Sequence, residues 1–131
     1  MKAVALGLAF FIGSLNESSL AGTFSGGVVS VLYGDTIEVL HHNRPERICL
    51  SGIDYPEKGK TYGKRAKQAA YDLAIGKEVT LQTYGHDKYK RTIAEVILAD
   101  STNVNHTLVK DGWCWWYRKY APGNHARALR N

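Results

Sequence analysis

A chain of 131 residues with 44% hydrophobic content holds enough apolar material for one modest core and not for two, so a single domain is expected. Its 17 Lys and Arg outweigh 12 Asp and Glu, a net charge of +5, which favours an anionic partner, nucleic acid before anionic lipid. Two cysteines, Cys49 and Cys114, exclude a multi-bridge disulfide framework and, unaided, a structural zinc site.

The chain opens on Met1-Lys2, an apolar run from Ala3 to Ile12, and then Ser19-Leu20-Ala21, with small residues at −3 and −1 of a cleavage point. This pattern predicts a signal peptide over residues 1–21. The apolar run is far shorter than the ~20 residues that span a bilayer, so a permanent anchor is disfavoured. A secreted or periplasmic protein without stable membrane association is therefore expected. Removing residues 1–21 takes one base, Lys2, and one acid, Glu17, so the working domain stays as basic as the whole chain. An oxidising destination would allow one Cys49–Cys114 bridge.

From Phe24 to Leu40, two β-branched runs meet at Gly34-Asp35, the signature of a tight strand reversal. His41 to Pro45 reads as a turn. Arg47 to Leu50 resumes an extended strand that delivers Asp54 to its end. Between Tyr62 and Ile75, Ala66, Ala69, Ala70, Leu73 and Ala74 recur at helical spacing among basic residues, with Gly76 as a stop. Glu78–Thr83 and Arg91–Leu98 alternate as an antiparallel pair around a polar loop, Tyr84–Lys90. A short second helix is predicted over Asn103–Lys110, followed by an aromatic and basic run from Trp113 to Tyr120. About five strands with a helix inserted after the third predict an α+β domain, mainly β, built on a small five-stranded OB-fold barrel.

Asp35, Asp54 and Glu57 are the carboxylates placed at strand ends or just beyond, where polar groups converge. Hard oxygens of this kind suit Ca²⁺ or Mg²⁺, and a carboxylate outside the metal's shell can serve as a base toward water. On spacing alone the same residues could equally be a turn cap, an Asx-Pro turn and a solvated loop charge.

The elements Gly34-Asp35-Thr36, Gly52-Ile53-Asp54-Tyr55-Pro56-Glu57, Tyr62-Gly63 and Asp87-Lys88-Tyr89-Lys90-Arg91 stand in the order and spacing of the thermonuclease, or staphylococcal-nuclease-like, family. The chain resembles that family from about Phe24 to Pro122 and is assigned a domain over residues 24–131 on that basis. The resemblance implies Ca²⁺ held by Asp35, Asp54 and the Tyr55 carbonyl. It implies Glu57 as the residue that activates water and Arg91 as the cation on the phosphoryl charge. DNA and RNA, single strands preferred, would be cut to 3′-phosphate products by a monomer. Lys88, Tyr89 and Tyr120 are the expected substrate contacts, while Trp113 and Trp115 are expected to be mainly structural.

The pattern is broken in four places. The family carries a second arginine five residues before the metal-binding aspartate, where this chain has Cys49. A thiol cannot imitate a two-pronged guanidinium, so impaired turnover is expected, with a catalytically silent nucleic-acid-binding module as the alternative. Arg47, two residues earlier on the same strand face, is the candidate substitute. Tyr33 replaces an acid before Gly34, and Lys90 replaces a glycine before Arg91, where a positive φ would strain any side chain. Finally, the chain ends at Asn131 with only a stub over 124–130 for a C-terminal helix. The paired His41-His42 is expected to point to opposite sides of an extended chain, so no zinc site is assigned.

Overall fold

The computed structural model describes residues 22–55 and 60–117. The expected signal peptide, Glu57, Tyr120 and the C-terminal stub lie outside these residues. Nine elements follow in chain order: β1 (Gly22–Tyr33), β2 (Thr36–His41), β3 (Arg44–Leu50), β4 (Ile53–Asp54), α1 (Thr61–Ala74), β5 (Glu78–His86), β6 (Thr92–Leu98), α2 (Val104–Lys110) and β7 (Trp115–Trp116). Five strands close into a barrel in the order β1-β2-β3-β6-β5, as the sequence predicts.

Closure depends on β1 serving two neighbours. Its first half, Gly22–Gly27, pairs with β5, and its second half, from Val28, pairs with β2. The remaining seam joins β3 to β6 in parallel, Ile48 beside Thr92 and Leu50 beside Ala94. Alternation then sends Val28, Ile37, Val39, Ile48, Leu50, Leu81 and Val96 inward, where each is at most 2% exposed. One slip of register would turn that set outward, so the apolar pattern also fixes the register.

Helix α1 buries a stripe of small residues, Gly63, Ala66, Ala70 and Ala74, which lets its backbone lie close to the barrel. The second turn of the helix faces the β1–β2 turn, where Gly34 has no room for a side chain. A Cβ there would stand 3.0 Å from the Ala66 Cβ and 3.1 Å from the Tyr55 Cβ. Helix α2 begins at Asn103, whose side chain accepts a hydrogen bond from the His106 amide at 3.0 Å.

Three differences from the sequence reading have plain causes. Strand β3 starts at Arg44 rather than Arg47 and includes Pro45, opposite Leu40. The parallel seam begins only at Ile48, so Pro45 has a strand neighbour on one side and no ladder bond is lost on the other. Strand β5 continues to His86 because a register shift between Thr83 and His86 absorbs the residues that break its alternation. Two-residue strands β4 and β7 pair separately, Ile53 with Trp116 and Asp54 with Trp115. Segments that short carry no periodicity to detect.

The aromatic run also divides differently. Trp113 and Trp116 pack against the core, Trp113 beside the Tyr62 ring at 5.5 Å and Trp116 edge-on to His106 at 5.2 Å. Trp115, expected to be structural, is 47% exposed, on the face of the β4–β7 ribbon that it shares with its partner Asp54. His41 and His42 stack at 4.1 Å instead of diverging. The cause is the backbone at His42, which has φ 55° and is not extended.

Candidate phosphodiester site

A cleft of about 720 Å³ opens where the β1–β2 turn, the end of β3, the β5–β6 loop and the residue after β7 meet. Asp35, Cys49, Ser51, Asp87, Lys88, Tyr89, Arg91 and Tyr117 are among its lining residues. Asp54 directly follows Ile53, which also lines it.

Asp35 is held by its turn. Its carbonyl accepts from the Leu50 amide at 2.8 Å, tying the turn to the end of β3, and its Oδ1 accepts from the Thr36 hydroxyl at 2.9 Å. Burial pushes the Asp35 carboxyl above its ordinary value, and the nearby Asp54 carboxylate adds to the rise, while Thr36 and Arg91 oppose it. A partly buried acid facing a second acid is a favourable place for a cation, because a bound positive charge offsets both the burial of the carboxylate and the repulsion between the two. Two carboxylates and neighbouring carbonyls supply hard oxygens of the kind Ca²⁺ or Mg²⁺ takes. Among the described residues no group of three His, Cys, Asp or Glu side chains converges; the rest of a shell would come from backbone oxygen, water or residues beyond them. Tyr55 donates its amide to Asp54 Oδ1 at 2.9 Å, which fixes the carboxylate at the end of β4.

Arg91 faces this pair from the β5–β6 loop. The loop is organised by Asp87, whose Oδ1 accepts from the amides of Tyr89 and Arg91 at 2.8 and 2.9 Å and whose Oδ2 accepts from Arg91 Nε at 2.7 Å. Partial burial would raise the Asp87 pKa, but the bonds from Arg91 and Tyr89 hold its carboxyl below the ordinary value. With Nε occupied, Arg91 Nη1 reaches Thr36 Oγ1 at 3.5 Å. One chain of polar contacts thus runs Asp87, Arg91, Thr36, Asp35. The Arg91 guanidinium also lies 5.5 Å from the Tyr89 ring centroid, and Lys88 Nζ lies 5.3 Å from it, with Tyr89 itself 67% exposed.

Cys49 sits between Thr36 and Ile93 on the cleft wall. Burial first, and then the Asp35 carboxylate, push its thiol to about 11, so the group is neutral at ordinary pH. It offers neither the charge nor the fork of an arginine. Both cysteines are free thiols; Cys114 is buried in the core with Sγ 3.9 Å from the Gly34 carbonyl. The bridge that an oxidising destination would allow is therefore not formed here.

Arg47 does share the face of Cys49, but it pairs across the strands with Glu38, Nη2 to Oε2 at 3.3 Å. It is not part of the cleft lining. Lys90 adopts φ 69°, so the strained conformation considered from sequence is the one the loop uses.

One contributor escaped the sequence reading. Asn105, fully buried, accepts from the Val96 amide at 3.1 Å and donates to the Ser51 and Ala94 carbonyls at 3.0 and 3.2 Å. It supplies bonds where β3 has ended and β6 continues, and so holds the Ser51–Ile53 segment that leads to Asp54. A polar residue at an inward position of a predicted helix was the available signal. Tyr117, which the sequence placed only within the aromatic and basic run, is a second contributor. Its amide donates to the Gly52 carbonyl at 2.9 Å, and the Asp54 carboxylate, ahead of burial, pushes its phenol up.

Comparison with known proteins matches this architecture. Residues 47–131 match the family described as staphylococcal nuclease homologue, so the chain belongs to that family. It is 40% identical over 101 residues to an "uncharacterized endonuclease" of Escherichia coli O157:H7, an alignment covering 77% of this chain and 66% of that protein. It is 37% identical over 112 residues to the "micrococcal nuclease" of Shigella flexneri, covering 79% and 64%. A further "uncharacterized endonuclease", from Haemophilus influenzae, is 37% identical over 95 residues, covering 72% and 53%. The chain spans about two thirds of the length of the first two.

Proposed function

We propose that this protein is an exported, Ca²⁺-dependent nuclease that hydrolyses phosphodiester bonds of DNA and RNA, working as a monomer and leaving 3′-phosphates. The observation that carries this reading is the placement of the partly buried Asp35, beside Asp54, across one cleft from the Asp87-pinned Arg91. The net charge of +5 favours approach of a polyanion, and the names of the relatives point the same way.

In this mechanism Asp35, Asp54 and the Tyr55 carbonyl would hold the metal, which when bound supplies positive charge to the phosphate oxygens. Glu57 accepts a proton from the attacking water; the resemblance of Gly52-Ile53-Asp54-Tyr55-Pro56-Glu57 to the family's motif motivates the assignment. Arg91 donates to the phosphoryl oxygens as charge accumulates on them, and Asp87 keeps the guanidinium aimed so that little reorganisation is needed during reaction. Lys88 offsets a neighbouring phosphate. The exposed Tyr89 ring offers a face to a base, as does Tyr120 in this reading, and unstacked bases of a single strand suit such faces best. Exposed Arg47, engaged with Glu38, contributes little.

Cys49 motivates a second reading, a barrel that binds nucleic acid without cutting it, since loss of one such donor typically costs about 10²–10³ in rate. DNA digestion in Ca²⁺ or in EDTA, by wild type, Glu57→Gln and Cys49→Arg, separates the two. The nuclease reading expects metal-dependent cutting by wild type, at least about 10²-fold less by Glu57→Gln, and more by Cys49→Arg. DNA retention with no cutting by wild type and none by Cys49→Arg would establish the binding module instead.

A further inference from the structure

The cleft needs donors for the phosphate oxygens on two sides, and Arg91 occupies only one of them. On the other, the barrel wall presents the neutral Cys49 thiol. A phosphodiester has two non-bridging oxygens, and a site that leaves one without a donor as charge develops forfeits much of its acceleration. A second donor near Cys49 and Asp54 would serve that oxygen.

Strand pairing determines which residue that is. In the β4–β7 ribbon Asp54 lies opposite Trp115 and Ile53 opposite Trp116, and the Tyr117 amide bonds the Gly52 carbonyl. The same register thus extends to place Tyr117 opposite Gly52. Side chains alternate along each strand, so Tyr117 shares a face with Asp54 and is its diagonal neighbour, within reach of a long aromatic side chain. Gly52, with φ 77°, presents no side chain beneath the ring. Tyr117 is 49% exposed and lines the same cleft as Asp35, Cys49 and Arg91. Its hydroxyl is a strong donor to an anionic oxygen.

We propose that the Tyr117 hydroxyl is a phosphate-binding donor of this cleft, acting on the side that Cys49 leaves without an arginine. The inference rests on the nuclease reading above and adds a residue to it. It makes the contribution of Tyr117 dependent on what stands at position 49: a guanidinium there would take the same oxygen and make the phenol redundant.

Steady-state cleavage of single-stranded DNA in Ca²⁺ is measured for wild type, Tyr117→Phe, Cys49→Arg and the double variant. Tyr117→Phe keeps the ring and the backbone bond to Gly52, and a merely structural loss would be the same in both backgrounds. The expected result is a fall in kcat of about tenfold or more when Cys49 is present and of less than about threefold when Arg is present. Equal losses in the two backgrounds, or no loss in either, overturn the role of Tyr117 while leaving the nuclease reading intact. Absence of Ca²⁺-dependent cutting by wild type overturns the nuclease reading, and the decision then passes to binding of a 5′-phosphorylated oligothymidylate. A Kd weakened by about fivefold or more in Tyr117→Phe supports the donor; an unchanged Kd overturns it.

Discussion

Two arginines of this barrel, Arg91 and Arg47, have opposite fates although both stand within reach of the same strands. Arg91 belongs to a polar loop in which one carboxylate, Asp87, accepts two amides and the guanidinium Nε; its side chain keeps 27% of its exposure and Arg47 keeps 54%. Arg47 projects from a barrel wall whose alternate residues are core, and its partner is a surface Glu38 at 3.3 Å. The difference teaches that a cation is held in one orientation when a second group immobilises it in a partly desolvated place, which is what the proposed role of Arg91 at a phosphate requires. A matching strand face is insufficient. Exposed ion pairs are worth about 0–1 kcal/mol and hold nothing rigidly.

The sharpest way to break this comparison is to remove each arginine. Arg91→Ala is expected to lower kcat by about 10²–10³ with a smaller change in KM, as loss of a transition-state donor should, measured by steady-state DNA cleavage. Asp87→Asn comes next, at about 10- to 50-fold in kcat, because the guanidinium remains but its anchor loses charge. This variant also has a pH signature. The folded-state pKa of Asp87 is depressed below its ordinary 3.8, so its stabilising contribution is complete above the unfolded value and is lost as pH falls through the folded one. Thermal midpoints of wild type and Asp87→Asn, compared between pH 6 and pH 2.5, should differ most at the higher pH and converge toward the lower. A gap that widened on acidification would contradict the pairing.

Lys90→Gly sharpens the comparison at the level of backbone. At φ 69° glycine relieves strain of about 1 kcal/mol, so the thermal midpoint should rise by a few degrees while activity moves less than about fivefold. A lowered midpoint would mean that the Lys90 side chain holds the loop. Arg47→Ala should be the smallest change, less than about twofold in cleavage and within about 0.5 kcal/mol in stability. A tenfold loss of cleavage would restore Arg47 as the substitute for the missing guanidinium.

How much of this was legible beforehand varies with the range of the interaction. The hairpin at Gly34-Asp35, helix α1 and the β5–β6 pair announced themselves through local periodicity and turn residues, and the elements fall within a few residues of expectation. Asp35 and Arg91, which both line the cleft, stood out as candidates because each sits in a motif of adjacent residues. Trp115 departed from its expected structural place because a two-residue strand has no pattern from which its faces can be assigned. Asn105 went unnoticed because its partners, Ser51, Ala94 and Val96, are scattered along the chain.

By itself, the sequence determined the barrel's alternation, the carboxylates at its strand ends, the basic balance and the absence of an arginine at position 49. These depend on residue type and on spacing along one segment, which backbone geometry converts directly into faces and ends. Only the tertiary structure decided that Arg91 is pinned by Asp87, that Arg47 turns to Glu38, that both thiols are free, and that Tyr117 shares a face with Asp54. Each of those outcomes depends on which strand lies beside which and in what register. Closure of a barrel sets that for the whole molecule at once, through packing between residues distant in the chain.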